Sequence, residues 1–186
     1  MTAFPVSRYL AAADQLELRL LEGVVGPVLD IGCGPGRHLH ALGARGVDAL
    51  GIDISPVAVA LARRGGATAV VGDVFSAVPR AGRWQTALLL DGNIGIGGDP
   101  LRLLRRLHSL LAPQGVALVE LDAPGSVSCC SRAQIELDGR RSGWFAWARV
   151  AANELDRLAL RAGMSTDWER PWGGRWFAQL RPAAGS

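Results

Sequence analysis

Four aspartates stand at or just after segments that have the composition of buried strands, beside a glycine-rich turn. Asp30, Asp53 and Asp91 each close an apolar run, and Asp73 follows another. The turn at 32–36 comes directly after Asp30 and has the spacing G-x-G-x-G. A carboxylate can accept both hydroxyls of a ribose or pair with an ammonium group, whereas four carboxylates together repel a pyrophosphate. The residues therefore favour a ligand that carries a ribose and positive charge.

The glycine turn differs from the dinucleotide-binding fingerprint by one position. That fingerprint is G-x-G-x-x-G, which requires a third glycine at position 37, where this chain has Arg37. A tight glycine turn still lets the backbone approach a ligand closely. Two plainer explanations remain open: glycine turns also serve only to reverse the chain, and aspartate is common in turns after strands.

The surrounding elements must bring these residues together, and their order is typical of an α/β protein. Apolar runs alternate with amphipathic stretches, which predicts a parallel sheet with crossover helices on both faces. We predict strands over 27–30, 48–54, 67–71, 86–91 and 115–121, and helices over 8–22, from the glycine turn to 44, over 56–64, and from 100 onward. Ser7, Ser55-Pro56 and Asp99-Pro100 are the predicted helix starts. Since parallel strands end at a common edge, we expect the four aspartates to lie along it.

The C-terminal third predicts a hairpin and a final antiparallel pair of strands. Segments 135–137 and 144–150 flank Asp138-Gly139, a sequence suited to a tight turn. A last helix over 153–162 precedes strands over 166–170 and 175–180. We therefore expect a single Rossmann-like doubly wound sheet, mostly parallel with an antiparallel C-terminal strand. Residues 1–186 form one domain in this interpretation, with 1–26 as an N-terminal helical lid and 123–150 as a substrate-side insert.

Composition excludes several classes of function. The 186 residues carry a net charge of +3, and every one of the 20 basic residues is arginine. No lysine is present, which excludes a Schiff-base or phosphate-loop lysine. The arginines form no long basic run, so nucleic-acid binding is disfavoured. Three cysteines without metal-site spacing, and no apolar segment of 18 residues, lead us to expect a soluble cytoplasmic protein without a metal or a membrane span.

Three motifs in order resemble those of the class I S-adenosylmethionine-dependent methyltransferases. Val28-Leu29-Asp30-Ile31-Gly32-Cys33-Gly34-Pro35-Gly36 is similar to the family's first motif, 50–55 to its second and 72–74 to its third. Segment 103–115 resembles the helix and turn before its fifth strand. The resemblance implies S-adenosylmethionine as cofactor and S-adenosylhomocysteine as product. It also implies cofactor-binding roles at nine matched positions: Asp30 and Asp91 for the methionyl amino group, Gly32, Gly34 and Gly36 for backbone clearance, Asp53 for the ribose, and Ile54, Asp73 and Val74 for the adenine.

The acceptor is less well specified than the cofactor. Asp91-Gly92-Asn93-Ile94 lacks the Pro-Pro-aromatic signature of the amino-methylating DNA and protein-glutamine enzymes, and is more similar to small-molecule members. The resemblance thus implies a small-molecule acceptor, which we interpret as a specialised metabolite. Tryptophans concentrated after position 143 either floor a pocket for a flat acceptor or pack in the core.

Methyl transfer needs little from the protein beyond alignment, because the sulfonium is already activated. If a proton must be removed, the candidate bases are His38, Glu120 and Asp122, with His40 as a weaker one. Asn93 is a candidate for orienting the acceptor or for holding the cofactor's carboxylate, and a plain turn after the strand is an equal alternative. Two other functions stay open: a cofactor-binding partner subunit without activity, and a nicotinamide-dependent reductase. Oligomeric state is not specified by the sequence.

Overall fold

A computed structural model describes residues 2–5, 10–137 and 140–183. Helices whose bounds lie within these residues are α1 (Gln15–Leu21), α2 (Arg37–Gly43), α3 (Pro56–Arg64), α4 (Pro100–Leu110) and α5 (Leu155–Arg161). The strands are β1 (Thr2–Pro5), β2 (Val28–Ile31), β3 (Ala49–Asp53), β4 (Ala69–Val71), β5 (Trp84–Leu89), β6 (Leu111–Leu121), β7 (Cys129–Leu137), β8 (Arg140–Arg141), β9 (Phe145–Arg149), β10 (Met164–Trp172) and β11 (Arg175–Pro182). Short 3₁₀ turns lie at Asn93–Gly95 and Ala152–Glu154.

The main sheet has seven strands in the order β10-β11-β6-β5-β2-β3-β4. Strands β2 to β6 pair in parallel, whereas β11 runs antiparallel to both β6 and β10. The chain proceeds from β2 outward to β4 and then returns to β5 on the other side of β2. The order therefore reverses between β2 and β5, which is where open α/β sheets place their ligands. The predicted fold, mostly parallel with antiparallel C-terminal strands, is confirmed.

Helices cover both faces of this sheet because each presents one apolar stripe. On one face, α4 buries Leu103, Leu104 and Leu107, and α5 adds its own apolar side, in a cluster with Trp84. On the other face, α1 and α2 pack over Val28 and Phe177. The predicted starts of α3 and α4 are confirmed. The side chains of Ser55 and Asp99 each accept a hydrogen bond from the backbone amide three residues later in the chain.

The N-terminal segment differs from the prediction of a helical lid over 1–26. Residues Thr2–Pro5 form β1, which pairs in parallel with β7, and α1 begins at Gln15 after a non-helical stretch at 11–14. Asp14 and Glu17 form a reciprocal capping box that fixes this start, with each side chain accepting from the other's backbone amide. The predicted cap at Ser7 lies outside the described residues. The prediction of a helix over 8–22 was therefore wrong for residues 11–14.

The region after β6 forms a second, smaller sheet. Strand β7 pairs antiparallel with β9, from Cys129 opposite Arg149 to Ala133 opposite Phe145. The predicted hairpin is thus present, but its first strand begins at Cys129 rather than at 135. Its proposed turn, Asp138-Gly139, lies outside the described residues. Strand β6 is also longer than predicted, since it begins at Leu111 instead of Gly115.

Within residues 2–5, 10–137 and 140–183, no helix is both long and apolar enough to cross a membrane.

Candidate functional site

The four aspartates lie at the carboxyl ends of four neighbouring strands. Asp30 is the third residue of β2 and is only 1% exposed, and Asp53 is the last residue of β3. Asp73 follows β4 by two residues, and Asp91 follows β5 by two. Because β2 pairs in parallel with both β3 and β5, these strand ends meet at one edge. The edge predicted from the sequence therefore exists, centred on the reversal of strand order.

Asn93 fastens the glycine loop at this edge. Its Nδ2 donates to the carbonyl oxygens of Ile31, at 2.8 Å, and Gly32, at 3.1 Å. Gly32 has a φ of +71°, and a Cβ there would lie 2.8 Å from Asn93 Nδ2. Any side chain at position 32 would displace Asn93. From the sequence, Asn93 was a candidate for orienting the acceptor or holding the cofactor's carboxylate, or a plain turn residue; in the structure its side chain holds the glycine loop in place.

Asp53 holds the same loop from the other side and still has acceptor positions that no protein donor uses. Its two oxygens accept from the backbone amides of Gly34, at 2.9 Å, and Ser55, at 2.8 Å. Burial raises the pKa of Asp53, although these hydrogen bonds oppose the shift. A carboxylate offers about four acceptor positions, so roughly two remain. A vicinal diol such as that of a ribose needs two acceptors.

The space beside Gly34 is open. An added Cβ at Gly34 would meet no atom within 4 Å. Next to Asp53, the Ile54 side chain is 70% exposed and presents an apolar surface on which a flat ring can pack. Asp73 is exposed and accepts from the Phe75 amide at 2.9 Å, while the Val74 side chain is buried in the main core. These positions are consistent with the adenine end that the resemblance implies.

A buried network of charges fills the other half of the edge, and sequence reasoning missed it. Arg37, at the start of α2, donates to both oxygens of Asp91, at 2.5 and 2.6 Å, and lies 2.7 Å from Glu17 Oε1. Burial raises the pKa of Glu17, but hydrogen bonds from His38, Asp14 and Arg175 outweigh it and hold the pKa well below its usual range. Glu17 thus ties α1 to the site. Its Oε2 closes the capping box with Asp14, and its Oε1 faces Arg37.

Arg175, on β11, is the second cation of this network. Its Nε and Nη2 donate to the two oxygens of Glu120, at 2.7 and 2.6 Å, and its Nη1 donates to Glu17 at 2.9 Å. Nη2 also lies 3.5 Å from Asp91. The sequence gives no sign that Arg175 and Glu17 are in contact, because the contact depends on how β11 pairs with β6.

His38 lies between two carboxylates. Its Nδ1 is 3.8 Å from Asp30 Oδ2 and its Nε2 is 3.8 Å from Glu17 Oε1. Burial lowers the pKa of His38, but Asp30, Glu17 and the charge of Asp91 outweigh burial and raise the pKa to about 9. Arg37 Nε lies 3.3 Å from Nε2 and donates to it only while the ring is neutral. Protonation of His38 therefore requires that this contact open.

Asp30 carries the feature that most directly indicates a ligand. Among the described residues, its Oδ2 has no hydrogen-bond partner although it is buried. The nearest cationic group is His38, whose Nδ1 lies 3.8 Å away and beyond hydrogen-bonding distance, so this oxygen can still accept a hydrogen bond from a ligand. A cavity of about 30 Å³ lies at the glycine loop, lined in part by Gly34, Asp91 and Asn93. The carboxylates of this site fit an ammonium group at the Asp30 and Asp91 end and a ribose at the Asp53 end.

The two carboxylates offered as general bases are both engaged in ion pairs. Both oxygens of Glu120 accept from Arg175, and Oε2 also accepts from the Asp91 amide at 2.6 Å. Asp122 accepts from Nε and Nη2 of Arg149, at 2.8 and 2.9 Å. The structure thus places Glu120 within the charge network, where it joins β6 to β11, and Asp122 outside it, where it joins the end of β6 to β9 of the second sheet.

A larger cavity of about 440 Å³ lies between the N-terminal segment and α2. Its walls are mostly alanine and leucine side chains, and it shares Pro35 and Arg37 with the small cavity at the glycine loop. Most tryptophans are packed elsewhere: Trp168 and Trp172 lie against the core on the α1 face, and Trp147 makes an edge contact with Phe145 at 5.8 Å.

Comparison with known proteins agrees with this geometry. A family model described as a methyltransferase domain matches residues 7–167. The release factor glutamine methyltransferase of Rhodospirillum rubrum is 35% identical over 137 residues, covering 55% of this chain and 42% of that protein. The trans-aconitate 2-methyltransferase of Paracidovorax citrulli is 30% identical over 113 residues, covering 59% of this chain and 44% of that protein. The chain therefore spans less than half the length of these curated relatives.

A solved structure extends the likeness to nearly the whole chain. The S-adenosylmethionine-dependent methyltransferase from Bacteroides fragilis, crystallised with S-adenosyl-L-homocysteine, superposes with a TM-score of 0.81 at 25% identity. The match covers 97% of this chain and 83% of that one. Together with the family model and the glycine loop at the strand reversal, this likeness shows that the chain belongs to the class I S-adenosylmethionine-dependent methyltransferases.

Proposed function

We propose that this protein transfers a methyl group from S-adenosylmethionine to a small-molecule acceptor. The observation that carries the proposal is that Asp30, Asp53 and Asp91 meet beside the glycine loop at the strand reversal, where the buried Oδ2 of Asp30 accepts no hydrogen bond among the described residues. Asp30 and Asp91 provide negative charge for the methionyl ammonium. Asp53 provides the two remaining acceptor positions for the ribose hydroxyls.

The adenine end of the cofactor is assigned to the residues after β3 and β4. Exposed Ile54 packs on the ring, Asp73 accepts from the adenine amino group, and the Val74 amide donates to a ring nitrogen. The open face of the loop at Gly34 leaves room for the ligand to lie against the backbone. Gly32 and Gly36 shape that loop.

Catalysis in this proposal rests on placement and exclusion of water. When bound, the cofactor supplies a methyl group on a positively charged sulfur, which is activated before the enzyme acts. The chain's own groups orient the cofactor and hold the acceptor in line with it. Because Glu120 and Asp122 are held in bidentate ion pairs, we assign no general base to them. Acceptors that attack as neutral nucleophiles, and then release a proton to water, suit such a site.

A compact acceptor is favoured by the space beside the cofactor site. The 440 Å³ cavity falls in the range that holds small molecules, and it adjoins the site through Pro35 and Arg37. The two curated relatives are named for different acceptors, a release factor glutamine and trans-aconitate, so they do not select one. Segment 91–94 lacks the signature of glutamine-methylating enzymes, and we therefore propose a small metabolite, specialised rather than macromolecular.

A turnover assay tests this function. The purified protein is incubated with S-adenosylmethionine and a panel of small amines, phenols and carboxylates, and S-adenosylhomocysteine is measured by mass spectrometry. We expect acceptor-dependent product that is absent without enzyme. Binding of cofactor without turnover on small molecules, together with turnover on a glutamine-containing peptide, would contradict the acceptor class. Binding without turnover on either would favour a non-catalytic partner subunit.

A further inference from the structure

The backbone at Asp91 adopts a conformation that needs outside support. Asp91 has a φ of +58°, which L-residues other than glycine rarely adopt, and Gly92 follows with +75°. This turn lies directly beyond β5, beside the glycine loop. It determines where the Asp91 carboxylate points, so the groups that hold the turn also place that carboxylate.

Glu120 supports the turn from the neighbouring strand β6. Its Oε2 accepts a hydrogen bond from the Asp91 backbone amide at 2.6 Å, a short distance typical of a charged acceptor. Arg37 holds the Asp91 carboxylate from the α2 side at 2.5 Å. Asp91 is therefore fixed at both its backbone and its side chain.

Glu120 depends in turn on Arg175. The two carboxylates of Glu120 and Asp91 lie close together at the same buried edge, where like charges repel strongly. The planar guanidinium of Arg175 makes a two-point contact with Glu120 and reaches Asp91 at 3.5 Å with the same Nη2. An arginine fork suits this arrangement because it binds both carboxylate oxygens in one plane.

We propose that Glu120 and Arg175 form a positioning pair that sets the Asp91 turn for the amino-acid end of the cofactor. Neither residue touches the reacting atoms in this account. The inference rests on the proposed function, since it assumes that Asp91 faces the methionyl ammonium. It adds two residues, on β6 and β11, to a site that the motifs place only on β2 to β5.

Two ligands separate positioning from a general structural role. S-adenosylhomocysteine carries both the nucleoside and the amino-acid end, whereas 5′-methylthioadenosine carries the nucleoside end alone. Both are titrated calorimetrically into the parent protein and into Glu120→Gln, Arg175→Met and the double variant. We expect each single variant to raise the Kd of S-adenosylhomocysteine about tenfold or more, since a charge-assisted contact to Asp91 is disturbed. The Kd of methylthioadenosine should change less than about threefold.

The double variant should bind S-adenosylhomocysteine no more weakly than the worse single variant, because the two residues act as one unit. Glu120→Asp is a further variant that retains the charge opposite Arg175 but shortens the reach to the Asp91 amide, so it should also raise the Kd of S-adenosylhomocysteine selectively. It keeps the test decisive if Glu120→Gln does not fold.

Arg181 and Asp167 provide a matched control. They form a two-point ion pair between β11 and β10, at 2.5 and 2.6 Å, away from the cofactor edge. Arg181→Met and Asp167→Asn should leave both affinities unchanged. Equal weakening of both ligands by the Glu120 and Arg175 variants, or no change in either, would overturn the positioning role. If the parent protein itself binds no S-adenosylhomocysteine, the proposed function fails instead.

Discussion

Replacing Asp53 with alanine tests two roles of one carboxylate, which are binding the ribose and holding the glycine loop. In the structure, Asp53 accepts from the Gly34 and Ser55 amides and retains about two acceptor positions for the ribose. Loss of the ribose contacts should weaken cofactor binding by about 1.5–3 kcal/mol, the range for hydrogen bonds to a charged group. That corresponds to a roughly 10- to 150-fold higher Kd for S-adenosylhomocysteine.

The same substitution also acts on stability, and the structure sets its size. Two backbone hydrogen bonds are worth about 1–3 kcal/mol together. Part of this is offset, because burial raises the pKa of Asp53 and so marks a cost of keeping the charge there at neutral pH. We therefore expect the free energy of unfolding to fall by less than about 2 kcal/mol in Asp53→Ala, as measured by urea denaturation.

Asp99→Ala is the matched control for this experiment. Asp99 also accepts a backbone amide, that of Arg102 at 3.0 Å, but it caps α4. Loss of such a cap costs about 0.5–2 kcal/mol, so the control loses comparable stability and should bind S-adenosylhomocysteine like the parent. If Asp53→Ala is folded and binds as tightly as the parent, the assignment of Asp53 to the ribose is wrong.

Two further predictions concern the charge network and the glycine loop. His38 has a pKa of about 9 in the folded protein against 6.5 ordinarily, which at about 1.4 kcal/mol per pKa unit contributes about 3 kcal/mol of stability. Because this pKa is raised, the contribution is present below pH 6.5 and is lost as the pH rises through 9. Denaturation curves of the parent at pH 6.5 and 9.5 should therefore show a lower free energy of unfolding at the higher pH. The His38→Gln variant should not show this His38-dependent loss. Gly36→Ala should destabilise the fold by about 1–3 kcal/mol in thermal melts, since Gly36 has a φ of +88° and an added Cβ would lie 2.9 Å from that of Ala62. A melting temperature equal to that of the parent would refute this packing argument.

The parallel sheet and its edge of aspartates could be predicted because their signals are local. Apolar runs define buried strands, Ser55 and Asp99 define helix starts, and parallel strands must end together. The N-terminal helix was predicted too early because Ser7 was interpreted as its cap, whereas the capping box at Asp14 starts α1 at Gln15.

The charge network could not be predicted because it depends on tertiary register. Arg175 meets Glu120 only because β11 runs antiparallel to β6 with Phe177 opposite Glu120. In the sequence, Arg37 served only to show that the third glycine of the dinucleotide-binding fingerprint is absent. In the structure, Arg37 is 7% exposed and pairs with two carboxylates. Contacts between residues far apart in the chain have no characteristic spacing, so a single sequence does not reveal them.

The most direct test of the account is calorimetric titration of the cofactor-stripped protein with S-adenosylhomocysteine, and in parallel with NADH. The carboxylates at this edge suit the ammonium group and the ribose of S-adenosylhomocysteine but repel the pyrophosphate of NADH, so we predict micromolar binding of S-adenosylhomocysteine and no binding of NADH. Binding of NADH alone, or of neither ligand, would contradict the assignment of this edge to S-adenosylmethionine.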